Sequence, residues 1–241
     1  MCTDEATQLP RVLDLVTGLV DKSLVQPEGD EAAPRFRLLE TIREYARQKL
    51  IDAGEVNDVR QRHAEYFAGL ARTGGQGLLG PDMLSWLATL NPEIDNLRAA
   101  DDYAAESGQA DLARRLGAPL RIFWGRGYLT EGAQRLSRAV GLPGGSPALR
   151  RRTMLALTEC AFVVFDKEAL TAWVDEALPI AEEEPDRELK GELLAASGWL
   201  AFLCGDENGL RLLEDGVGHL RDAGTEYWGP VGARYWLVDA L

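Results

Sequence analysis

LLAASGWLAFLCGDENGLRLLEDGVGHLRDAG, residues 193–224, holds two helical periods on either side of a Gly205-Asp206 turn. Slid back by 40 residues, it falls on TMLALTECAFVVFDKEALTAWVDEALPIAEEE, residues 153–184. The overlay pairs Ala196 with Ala156, Ala201 with Ala161 and Leu203 with Val163. It also pairs Asp206 with Asp166, Leu210 with Leu170 and Leu220 with Ile180. A further step of 38 residues places Phe123 on Ala161, Trp124 on Phe162, Leu136 on Val174 and Ala139 on Ala177. A fixed period of this size marks stacked helical pairs, none of which can bury its apolar face alone. The turns fall at Gly127-Tyr128, Phe165-Asp166 and Gly205-Asp206, and no strand pattern follows Pro81. The fold class is therefore mainly α, with helical repeats over residues 82–241.

The front of the chain has a different rhythm. Leu9, Val12, Leu13, Val16, Leu19 and Val20 recur at helical spacing, so a helix is expected over 9–20. Ser23–Gln26 and Arg35–Leu38 are expected to be short strands, joined across the polar, proline-bounded loop 27–34. A second helix is expected over 39–53, with Ile42, Tyr45, Ala46 and Leu50 on one face and Gly54 as its left-handed cap. A third follows over about 56–72. Helix, hairpin, helix is the ending of a winged-helix domain, so residues 1–72 are assigned to the C-terminal part of one plus connecting helices. Further helices are expected before Leu9. Residues 73–81 are the richest in glycine and are assigned as a linker. They contain Gly75-x-Gly77-x-x-Gly80, but a dinucleotide fingerprint needs a strand entering the turn, and here a helix enters. Residues 226–241 are expected to form the first helix of an incomplete last repeat.

Composition excludes several classes. Lys plus Arg number 26 against 39 Asp plus Glu, a net charge of −13. The thirds 1–72, 73–146 and 147–241 carry −3, −1 and −9. Phosphate-backbone binding runs on basic patches, which this balance does not favour. No apolar run approaches the ~18 residues of a membrane span, and the acidic N-terminus lacks a signal peptide's basic and apolar regions. The three cysteines form neither a disulfide framework nor a zinc cluster. A cytoplasmic location is expected.

Four ordered motifs carry a resemblance. They are Leu19-Val20-Asp21-Lys22-Ser23-Leu24-Val25, then Arg35-Phe36-Arg37-Leu38-Leu39-Glu40-Thr41-Ile42-Arg43-Glu44-Tyr45-Ala46, then Arg62-His63-Ala64-Glu65-Tyr66-Phe67 and Glu93-Ile94-Asp95-Asn96-Leu97-Arg98-Ala99-Ala100. Residues 19–100 thereby resemble the STAND-type ATPase transcriptional regulators of the LuxR-like and AfsR-like class. The resemblance implies a partial winged helix with a small β-hairpin, followed by an α-solenoid of tetratricopeptide-like helical pairs. It further implies a bacterial regulator in which DNA-binding and ATPase domains lie elsewhere. Asp101-Asp102 departs from the family, which is apolar at the first of these positions.

No enzyme is expected. There is no Gly-x-x-x-x-Gly-Lys-[Ser/Thr] phosphate loop, no Gly-x-Ser-x-Gly elbow, and no His or Cys grouping of metal-site spacing around His63 or His219. Catalytic, cofactor and metal residues are therefore assigned as none, and ATP with magnesium is expected only for an ATPase domain outside this chain. The candidate partner-binding residues lie on the first helix of each repeat. Trp124, Phe162 and Phe202 share one register position, and Arg121, Glu159 and Trp199 share the position one turn earlier. Aromatics flanked by charge are the composition of an interaction hot spot, although the same spacing also suits packing between helices. The expected partner is a protein, peptide or small effector, with neither membrane nor direct nucleic acid. The alternatives are a stand-alone repeat scaffold and direct DNA binding by the winged helix, whose first helix offers Arg11 against Asp14 and Asp21. Calorimetric titration with ATP and magnesium is expected to give only heat of dilution; micromolar binding would overturn this assignment.

Overall fold

Helix α1 (Leu9–Asp21) closes on itself. Ser23 takes a φ of 57°, which lets its N–H donate to the Val20 carbonyl at 2.8 Å and the Leu24 N–H reach the Leu19 carbonyl at 3.0 Å. Two orphan carbonyls of the last turn are thereby satisfied. Ser23 and Leu24 are used in this closure, so strand β1 (Val25–Glu28) starts two residues later than the expected Ser23. The computed structural model describes residues 9–28, 35–161 and 167–224, and the chain divides into two units, 1–66 and 67–241.

In the first unit β1 pairs antiparallel with β2 (Arg35–Leu38), Val25 opposite Leu38 and Pro27 opposite Phe36. The pleat sends these four to one face and Gln26, Glu28, Arg35 and Arg37 to the other, where Arg37 pairs with Glu28 at 2.9 Å. Val25 is buried and β1 packs on α1, but Leu13, Leu15, Leu19 and Phe36 remain exposed. Helix α2 (Glu40–Ala53) ends as expected at Gly54, φ 72°. Its stripe is only half-buried at Ile42, Ala46 and Leu50, and Tyr45 is exposed.

Helix α3 (Val56–Leu78) starts in the first unit and continues into the second. The assigned linker is helix as far as Leu78. A Cβ on Gly75 would lie 2.3 Å from the Pro119 carbonyl oxygen, and one on Gly77 would lie 1.9 Å from Trp86 Nε1. The glycines admit neighbouring groups to the helix surface; they do not loosen the chain. A turn follows only at 79–82.

The second unit continues with α4 (Met83–Leu90), a single 3-10 turn at Asn91–Glu93 and α5 (Ile94–Glu106). Then come α6 (Ala110–Gly117), a 3-10 turn at Ala118–Leu120, α7 (Arg121–Gly125) and α8 (Leu129–Gly141). Two further pairs are α9 (Pro147–Ala161) with α10 (Lys167–Glu183), and α11 (Arg187–Leu203) with α12 (Gly209–Asp222). Helices α7, α9 and α11 pack in succession, and α8, α10 and α12 each pack on the helix before them. This is the expected stack of helical pairs, with α9 and α11 starting 40 residues apart. Pro119 interrupts the first helix of the earliest pair, because it has no N–H to continue the ladder. Asp186 starts α11 by accepting from the Glu188 and Leu189 N–H groups at 3.0 and 3.2 Å. The expected helix over 226–241 lies outside the described residues.

The last pair is joined through backbone. A Cβ on Gly198 would lie 2.4 Å from the Leu213 nitrogen, and one on Gly216 would lie 2.4 Å from the Ala195 nitrogen. Leu193, Leu213, Val217, Ala181 and Leu155 fill the core around this approach. Gly198→Ala forces the helices apart, because backbone cannot yield as a side chain can. Its expected cost in chemical denaturation is about 1–3 kcal/mol; wild-type stability would show that the helices do not approach so closely.

Candidate functional site

The six expected interaction residues meet different fates. Trp124, in the last turn of α7, is buried at 2 % exposure. Its ring packs edge-on to Phe123 and Tyr128, its Nε1–H donates to the Gly117 carbonyl at 3.3 Å, and Gly132 leaves the space that its Cβ fills. Trp124 is thus a packing residue and does not offer a docking surface. Trp199 is also buried and stacks on the half-buried Phe202, with ring centroids 5.8 Å apart. Phe162 lies outside the described residues, as does the side chain of Glu159.

Arg121 does find a partner on another repeat. Its guanidinium lies 4.0 Å from Glu192 of α11, both side chains being mostly buried. Burial pushes the Glu192 carboxyl above its ordinary value, opposed by Arg121 and by Arg152 of α9. Charge from three successive first helices therefore bears on this one carboxyl, although only Arg121 stands within ion-pair distance of it. Glu192 lies two helical pairs along from Arg121 and off the register position of Trp199 that aligns with it, and no single-helix period links the two, so sequence reasoning missed it.

A larger polar assembly joins helices α5 and α8. Arg98 binds Glu131 with two hydrogen bonds, 2.8 and 2.6 Å, and reaches Asp95 at 2.8 Å. Arg135 donates to Glu131, Asp101 and Asp102 at 2.8, 2.8 and 3.0 Å. Arg138 closes the assembly on Asp101 at 2.5 Å and Asp102 at 2.8 Å. The Asp101-Asp102 departure is thereby explained. Asp101 is 4 % exposed, and two arginines replace the apolar neighbours that the family pattern led us to expect. The hydrogen bonds from Arg98 hold the Glu131 carboxyl down at about 2, against the desolvation that would raise it. Burial pushes Asp102 up, but its bonds to Arg138 and Arg135 outweigh this and leave it below its ordinary value.

Cys160 is buried, and Cys204 packs against Val174, Leu200 and Ala201. Among the described residues, no cluster of His, Cys, Asp and Glu could hold a metal, and no helix is long and apolar enough to cross a membrane.

Three relatives, one from Mycobacterium bovis and two from Mycobacterium tuberculosis, are each 37 % identical to this chain over 201 residues. They are named as HTH-type transcriptional regulators. The chain is similar to transcriptional regulators. The match takes in 78 % of this chain but spans only 22 % of each relative's length. No family model matches, and no solved structure does either.

Two measurements follow. Trp124→Ala is expected to lower stability by about 3–5 kcal/mol, as for a buried aromatic; a loss under about 1 kcal/mol would return Trp124 to the surface. Glu131 has a depressed carboxyl pKa, so its contribution is fully present above its ordinary value of 4.5 and is lost as pH falls toward about 2. Glu131→Gln is expected to flatten the fall of Tm across that window, and an unchanged slope would remove Glu131 from the account.

Proposed function

We propose that this chain is the winged-helix-to-repeat portion of a STAND-type transcriptional regulator. Its helical repeats hold a protein, peptide or small effector on the layer of first helices. The observation that carries this reading is the ion pair of Arg121 with Glu192 on a different repeat, with the charge of Arg152 on the repeat between bearing on the same carboxyl. A residue set drawn from three repeats responds to any change in their stacking, which is how an effector could alter the rest of a regulator. The similarity to HTH-type regulators supports the class, and the spared apolar face of α1 and the hairpin suits docking of the winged helix on an ATPase domain. In this reading ATP and magnesium belong to that domain.

Direct DNA contact by the first unit is the second reading, favoured by the relatives' HTH-type name and by exposed Arg35 and Arg37 on β2. Its charge argues against it: residues 1–72 are net −3, and backbone affinity needs several phosphates neutralised.

Selection of a displayed random-peptide library on this chain tests the repeat face. The expected result is an enriched peptide class whose affinity drops at least tenfold on Arg121→Ala or Glu192→Gln, with Tm little changed. Equal binding by the variants would move the site elsewhere. Salt-dependent binding of duplex DNA by residues 1–241 would instead support the second reading.

A further inference from the structure

We draw no further inference here: the strongest candidate, the open cavity of about 310 Å3 between Gln109, Asp111, Arg115 and Pro143 at the start of α6, rests on a helix N-terminus with no second observation that points to a ligand.

Discussion

The Arg114 guanidinium is fully buried, and the junction between the first complete repeat and the next is built around it. Its Nε donates to the Ala139 carbonyl at 3.2 Å, and its two terminal nitrogens donate to Leu142 and Gly144 at 2.7 Å each. Those carbonyls belong to the end of α8 and the turn after it, where a helix leaves acceptors unsatisfied and its dipole is negative. Burying a cation costs several kcal/mol unless its donors are met, so the turn has little freedom. Gly144 and Gly145 take φ of 74° and 80°. A Cβ on Gly145 would fall 2.3 Å from Asp111, whose carboxylate accepts the Ser146 N–H at 2.7 Å and stands 3.7 Å from Arg114. Arg114 and Asp111 together thus tie α6, the end of α8 and the start of α9.

The stack is held by two kinds of contact. Between α5 and α8 the contact is ionic, with Asp101 and Arg135 both largely withdrawn from water. Such an assembly is stable only when every member is satisfied, and removal of one partner strands the others. Between α11 and α12 it is steric, because glycine lets two backbones meet. Arg150 with Glu176 and Arg151 with Glu184 form intermediate joints between α9 and α10. The acidic excess of the last third is therefore partly consumed inside the fold, as Glu184 and Glu192 illustrate.

The repeat period was legible because helical pairs bury their faces on one another, and burial imposes apolar residues at recurring positions. The α1 and α2 periods, the hairpin and the Gly54 cap were legible for local reasons of the same kind. The 73–81 stretch was misread because glycine has two uses, conformational freedom and absence of bulk. Sequence alone does not say which is wanted; Trp86 and Pro119, packed against α3, decide for the second. The candidate site was legible only in outline. Arg121 was identified without Glu192, and the register of Trp124 suited a surface or a core equally; it fills a core.

What the sequence determined by itself is the net charge and everything set by near neighbours: helix or strand, caps and repeat length. Tertiary structure decided which side of each helix meets water. Trp124, Trp199, Arg114 and Asp101 have ordinary local surroundings in the sequence. Their exposure depends on Gly132, Phe202, Ala139 and Arg135, and for three of the four the partner comes from another helix. Burial is a property of the packed stack, because water is excluded only where a second surface covers the first.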